Sequence, residues 1–258
     1  MVKPLIIVRL ALFIILSGGS VAQTPIDQMR DLLDRGFYNS AAQLNGPTLI
    51  ELYPQEPEAH YLYAFALYLT GNMSAARTEI DKALALTGQD TPSRYLHLNG
   101  LLQANEGDTE NALQSLENAF LQDSSYRYAM DWARLAWQAG MYQEALQAYH
   151  EAANTELGQR EPWPYLNRGR LFLFLGSYDE AIAAFTMAIE VFDANDPGNT
   201  RPSPAYVEAY YRLGEIYERL EDSEQAKNYY QAARSTDPTY APAIEALNRL
   251  TVKDTSNP

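Results

Sequence analysis

Side chains able to do bond-making chemistry are scarce in this 258-residue chain. His60, His97 and His150 are its three histidines, and none stands in an HExxH arrangement that would hold zinc beside a general base. There is no cysteine, which removes disulfides, thiolate nucleophiles and soft metal ligands together. The GxSxG, P-loop and GxGxxG patterns are absent as well. Asp193, Asn195 and Gly198 match the first, third and sixth places of a calcium loop, but Pro197 takes the fifth and Pro204 the twelfth, where a bidentate Glu is required. That stretch therefore reads as an ordinary polar loop. No catalytic residue, metal or cofactor is expected. The remaining chemistry is recognition. Arg134, Arg170 and Arg212 offer planar forks for carboxylates, Asn167 adds a neutral donor, and Trp137 and Trp163 supply apolar walls that exclude water. The competing reading of such arginines is pairing with a neighbouring Glu or Asp on the same helix.

Overall charge restricts the partner. The chain has 19 Lys and Arg against 33 Asp and Glu, a net charge of −14. Nucleic acid and anionic membrane surfaces are poor partners for it. The first 22 residues carry Lys3 and Arg9, an apolar run from Leu10 to Leu16, and the small-residue segment Ser17 to Ala22. This is the pattern of a secretory signal peptide, with Ser20 and Ala22 suited to cleavage before Gln23. The uncharged run from Leu10 to Ala22 is 13 residues, short of the roughly 20 a spanning helix needs. An exported mature protein, periplasmic or secreted, without stable membrane insertion, is expected. Loss of Lys3 and Arg9 leaves 17 basic against 33 acidic residues, about −16. Asn72-Met-Ser74 fits a glycosylation acceptor, relevant only in a eukaryotic host.

The elements that must position the recognition residues show themselves through internal repetition. Tyr210 to Pro238 reads YYRLGEIYERLEDSEQAKNYYQAARSTDP. With Pro238 as position 32 of a repeat, Leu213, Gly214 and Tyr217 fall at 7, 8 and 11, and Ala226, Tyr230 and Ala233 at 20, 24 and 27. This unit resembles the tetratricopeptide repeat. The same frame recurs upstream, with Gly36, Gly71, Gly107, Gly140 and Gly176 at position 15 and Glu221 in that place in the last unit. Position 20 is Ala in all six units, and position 27 is Thr48 followed by five Ala. Eleven Ala in twelve places, in a chain with 35 in all, fixes the register.

Apolar spacing of i, i+3, i+4 with Gly at each turn predicts helix pairs and excludes strands. The small residues Ala64, Gly100, Ala133, Gly169 and Gly214 at position 8 are expected to meet Ala at position 20, with large residues filling the space around that contact. The fold class that the resemblance implies is all-α: a superhelix of stacked antiparallel pairs over 23–251. The units lie at approximately 22–56, 57–92, 93–125, 126–161, 162–206 and 207–240, with a capping helix over 240–251 and a disordered tail over 252–258. Two departures stand out. In the first unit Met29 occupies the small position 8, and Gly46-Pro47 is expected to break the second helix. Between the last two units the markers are 45 residues apart instead of 34, an insertion carried by a loop from Asp193 to Pro204.

The resemblance also implies where a partner lies: a peptide in the concave groove of the first (A) helices, at positions 2, 5, 6, 9, 12 and 13. Here those positions divide the chain. Units two and three place Tyr61, Leu62, Phe65, Tyr68 and Leu69, then His97, Leu98, Leu101 and Asn105 there, making a secondary apolar groove. His60 is expected to pack between helices and His150 to be exposed. Units four to six place Arg127, Asp131, Arg134 and Trp137, then Trp163, Asn167, Arg170 and Phe174, then Tyr211, Arg212, Glu215 and Arg219. One branch of the family grips a C-terminal carboxylate with Lys, Asn, Asn, Lys and Arg. Arg134, Asn167 and Arg212 occupy three of those places, whereas Met130 and Glu208 stand where two lysines belong. The expected function is an exported scaffold that binds a protein or peptide partner through Arg134, Trp137, Trp163, Asn167, Arg170 and Arg212. The alternative is a self-assembling homo-oligomer whose apolar groove is filled by another copy.

Overall fold

A computed structural model describes residues 23–196 and 203–255, with side chains to Thr251. The expected signal peptide, residues 1–22, lies outside the described residues. Thr24 caps the first helix: its hydroxyl accepts from the Asp27 amide at 3.2 Å, and the Asp27 carboxylate accepts from the Thr24 amide at 3.2 Å. The chain then runs through α1 (Pro25–Asp34), α2 (Tyr38–Ser40), a π-helical turn (Ala41–Asn45) and α3 (Gly46–Leu52). It continues through α4 (Pro57–Leu69), α5 (Met73–Thr87), α6 (Ser93–Asn105), α7 (Thr109–Gln122), α8 (Tyr126–Gln138) and α9 (Tyr142–Asn154). The last elements are α10 (Trp163–Leu175), α11 (Tyr178–Asn195), α12 (Pro204–Arg219), α13 (Ser223–Thr236) and α14 (Ala241–Thr255). No strand occurs among the described residues. Each helix packs first on its partner across a tight turn and then on the next pair, which is the layout of a solenoid.

The repeat positions explain why these segments fold this way. Ala41, Ala76, Ala112, Ala145, Ala181 and Ala226 all have zero exposure, as do the five Ala at position 27. The small position 8 makes room mainly for the ring or branched chain at position 24: a Cβ on Gly169 would come within 2.6 Å of Phe185, and one on Gly214 within 2.5 Å of Tyr230. At Gly100 the carbonyl of Ala112, at position 20, is also only 3.0 Å from such a Cβ. Between the helices of a pair the chain reverses in the left-handed region, with Gly71 at φ 81° and Gly176 at φ 78°. Glu221 adopts the same turn at φ 62° without glycine's freedom.

Three expectations need correction. Pro47 does not break the second helix of the first unit. The backbone widens into the π turn at Ala41–Asn45, where the Gly46 amide bonds to the Ala41 carbonyl, and Pro47 falls in the first turn of α3, where a missing donor costs least. Gly46 is needed there, since a Cβ would sit 2.0 Å from the Tyr63 ring. The expected insertion loop is partly helical, because α11 continues through Asn195 and buries Phe192. Residues 197–202 of that loop lie outside the described residues. Finally, the helix over the C-terminal stretch does not end at Thr251. Helical backbone continues through Thr255, where each added residue gains one more backbone hydrogen bond; 256–258 lie outside the described residues. Ala243, Ala246, Leu247 and Leu250 of α14 are buried, the last three against Ala226 and Tyr230 of α13.

Candidate partner-binding groove

The A helices α10 and α12 bring Asn167, Arg170 and Arg212 together around Glu208, and Trp137 of α8 shares a cavity with Arg170 and Arg212. Arg170 lies at the centre. Its Nε donates to Glu208 Oε1 at 2.8 Å, its Nη2 donates to Glu208 Oε2, and its Nη1 donates to Asn167 Oδ1 at 2.9 Å. Arg212 donates from Nε to Glu208 Oε1 at 3.1 Å and from Nη1 to Glu215 Oε2 at 2.7 Å, with its guanidinium 5.6 Å from the Tyr211 ring centre. Glu208 therefore sits between two guanidiniums at a place where the clamp of the carboxylate-gripping branch carries Lys. Burial alone would raise its pKa, but Arg170 and then Arg212 outweigh that and hold it below the usual carboxylate range.

Arg134 belongs to a separate group one unit earlier. It donates from Nη2 to Asp131 Oδ1 at 2.9 Å and keeps 57% of its side chain exposed. The other oxygen of Asp131 is 2.8 Å from His97 Nε2 of the preceding unit, and Arg127 lies at 4.0 Å. Asp131 is held below its ordinary pKa: burial raises it, and the bonds from His97 and Arg134 more than reverse that. His97 is thus buried in structure, stacked on Tyr128 at 4.5 Å, and not a surface contact. His60 is buried too, with Nδ1 2.7 Å from Glu79 and Nε2 3.1 Å from the Pro54 carbonyl. His150 is exposed, within 3.2 Å of Asn154.

Trp137 stands edge-on to Tyr149 at 6.2 Å and forms one wall of an open cavity of about 450 Å³. Arg170, Leu173, Phe174, Arg212 and Arg219 complete that lining. Trp163 does not join it. The indole packs on the apolar cluster around Leu166 and Phe192. A second, larger cavity of about 690 Å³ involves α7 and α9, where Trp132 Nε1 donates to Glu144 at 2.7 Å.

The expected secondary groove is more closed. Leu98 is only 1% exposed, and Leu62, at the same repeat position, 4%. Both belong to the core, because position 6 slants into the contact between neighbouring A helices when the side chain is apolar. Tyr61 stacks on Tyr95 at 4.5 Å and faces Phe65 at 6.1 Å, and burial pushes its hydroxyl pKa up. Arg94 covers both tyrosines, its guanidinium 5.5 and 5.2 Å from their ring centres. Phe65, Tyr68 and Leu101 remain half-buried. Glu58 closes this end. It accepts from Arg30 at 2.9 Å, from Arg94 at 2.6 Å and from the Tyr95 hydroxyl at 2.8 Å. Those bonds overcome the effect of burial and keep its pKa low.

Sequence reasoning named Asp131, Glu208 and Glu215 but not their bonds to the arginines, and it missed Glu58. Glu208, Arg212 and Glu215 stand at i, i+4 and i+7 on one helix, and Asp131 is three before Arg134, so same-helix pairing was visible in the spacing. The bonds between units, Arg30 to Glu58 and Arg170 to Glu208, run from position 9 of one unit to position 2 of the next. Among the described residues no group of three or more His, Cys, Asp or Glu is placed to hold a metal ion. No described helix is long and apolar enough to cross a membrane.

Two family models, each described as tetratricopeptide repeat, match residues 26–91 and 163–238. No curated protein sequence matches the chain. Among solved structures the chain is similar to YrrB, a TPR protein with an unusual peptide-binding site, at 19% identity, over 78% of this chain and 96% of that one, with a TM-score of 0.59. It is similar to PilF of Pseudomonas aeruginosa at 19% identity, over 86% of this chain and 94% of that one, with a TM-score of 0.62. PilW, a widely conserved type IV pilus biogenesis factor, gives 12% identity, 86% and 96% coverage and a TM-score of 0.63. At these identities the likeness concerns the fold. Neither matching model describes a catalytic family. With its Ala rows, its glycine turns and its stacked helix pairs, the chain is built of tetratricopeptide repeats in an all-α solenoid, the fold of a protein–protein interaction scaffold.

Proposed function

We propose that this protein is an exported scaffold that holds an acidic or C-terminal segment of a protein partner on the A-helix face of units four to six. The observation that carries this reading is that Trp137, Arg170, Arg212 and Arg219 line one open cavity on that face of a chain with net charge −14, with Arg134 on the A helix of unit four beside Trp137. Arg127 and Arg134 share the single carboxylate of Asp131, so this stretch keeps positive charge to offer. Aromatic walls beside it lower the local dielectric and strengthen each charge-assisted contact. YrrB, whose description names a peptide-binding site, has the same architecture, which suits such a use of the groove. Export rests on the leader-like segment Met1 to Ala22.

The test is capture of partners from the host's envelope fraction with the mature chain, followed by affinity measurement for wild type and Arg134→Ala/Arg170→Ala at two salt concentrations. Weakening by roughly tenfold or more, shrinking as salt rises, is expected. Equal affinity in a folded double variant would rule the site out. Export is tested separately by fractionation and N-terminal sequencing, with Gln23 as the expected first residue.

A further inference from the structure

The cavity beside Trp137 differs from the rest of the A-helix face in what surrounds it. Phe174 is 63% exposed, and the neighbouring turn residues Met141, Leu175 and Leu220 are 48%, 40% and 47% exposed. These four lie on the helix-to-helix turns of three consecutive units. At the same three positions units two and three carry Leu69, Thr70 and Asn72, then Asn105, Glu106 and Asp108. Tyr142 meets Phe174 edge-on at 5.3 Å and ties the turn of unit four to that of unit five. Of the four exposed turn residues, Phe174 lines the cavity of about 450 Å³, within the roughly 300–1,000 Å³ typical of ligand sites.

The polar wall of this cavity is cationic. Arg170, Arg212 and Arg219 line it, and no Asp or Glu does. All three nitrogens of the Arg170 guanidinium already donate to Glu208 or Asn167, and Arg212 uses Nε and Nη1 on Glu208 and Glu215. Arg219 has no ion-pair or hydrogen-bond partner among the described residues, and it is exposed at the rim. The cavity therefore combines an apolar floor, two guanidiniums already neutralised, and one guanidinium with its donors unspent.

We infer that this corner anchors an internal, acidic stretch of the partner, with one large aromatic or leucine side chain between Trp137, Leu173 and Phe174 and a neighbouring Asp or Glu on Arg219. The inference rests on the groove reading above and narrows it to one anchor. An internal segment fits because the lining comes from α8, α10 and α12 in succession, so a chain can pass along the groove. The charge matches too: a carboxylate meets an unpaired Arg, whereas at Arg170 it would compete with Glu208.

The probe is a fluorescein-labelled octapeptide, blocked at both ends, with a single Phe between Asp and Glu residues. Its binding to the mature chain is followed by fluorescence anisotropy. Phe174→Asp and Arg219→Glu change exposed side chains, and their helical content and melting are checked against wild type. Each is expected to weaken binding by roughly tenfold or more. If both variants bind like wild type while Arg134→Ala/Arg170→Ala loses the peptide, the anchor is overturned and the groove reading stands. If wild type ignores the blocked peptide but binds one ending in a free Phe carboxylate, the internal-segment assignment is overturned. No binding of either peptide overturns the corner as an anchor, and the groove is then judged by the envelope partner alone.

Discussion

The two ends of the A-helix face use the same ionic device and finish it differently. At the N-terminal end Arg30 reaches Glu58 of the next unit; at the C-terminal end Arg170 reaches Glu208 by the same step from position 9 to position 2. Around Glu58 the surroundings close: Tyr95 and Arg94 bond to the carboxylate, Arg94 covers Tyr61, and Leu62 and Leu98 are sealed in the core. Around Glu208 they stay open, with Trp137, Phe174 and Arg219 bordering a cavity. Pairing between units aligns the stack, and the proposed anchor lies where charge and apolar surface exceed what the pairing consumes.

The comparison breaks first if both ends do not depend equally on close helix contact. Gly46→Ala forces a Cβ into the Tyr63 ring and Ala181→Leu overfills a site of zero exposure, so each is expected to cost about 1–3 kcal/mol. Thermal or urea unfolding checks this, and an unchanged Ala181→Leu would mean the repeat register is wrong.

The carboxylates sharpen the contrast. Glu58→Gln leaves a largely buried site with three donors short of a charge and should destabilise by about 1–3 kcal/mol. Glu208→Gln should cost a comparable amount, about 1–3 kcal/mol: Glu208 is slightly more open than Glu58, at 16% against 11%, but Arg170 and Arg212, at 33% and 34%, are less exposed than Arg30 and Arg94, at 47%. The same change releases two guanidiniums toward the cavity and is expected to raise affinity for the acidic octapeptide by roughly three- to tenfold. Anisotropy titration decides; weaker binding would mean that Glu208 positions the arginines rather than competing with the ligand.

Acid should act on both ends together. Glu58, Asp131 and Glu208 are held below their ordinary pKa, so the unfolded chain takes up these protons more readily than the native one. Their contribution is complete above the unfolded carboxylate values of about 4 and is lost as pH falls through the depressed native values. Urea midpoints measured from pH 6 down to pH 3 should fall, with a shallower fall in Glu58→Gln and Glu208→Gln. The smallest effect is at the last turn: Glu221→Gly relieves a left-handed non-glycine residue and should add about 0.5–1 kcal/mol, seen as a small rise in melting temperature.

The repeats were legible because their signals are local and periodic. Ala226, Gly214 and Tyr230 sit at fixed spacings, and every Ala at position 20 proves fully buried. Pro47 misled because a propensity rule says what one residue disfavours, while a π turn lets the backbone accommodate it. Leu98 was placed on the surface because position 6 changes its environment with the side chain: Arg212 there reaches outward to carboxylates, and leucine turns into the stack. The bond from Arg170 to Glu208 spans 38 residues and depends on how two units meet, which no short-range spacing encodes.

The most direct test of where this scaffold binds is hydrogen exchange of the mature chain with and without its captured envelope partner. Slowed exchange in α8, α10 and α12 and at the turns holding Phe174 and Leu220, with α4 and α6 unchanged, is the expected result. Protection confined to α4 and α6, or to α7 and α9, would contradict binding at the C-terminal half of the groove.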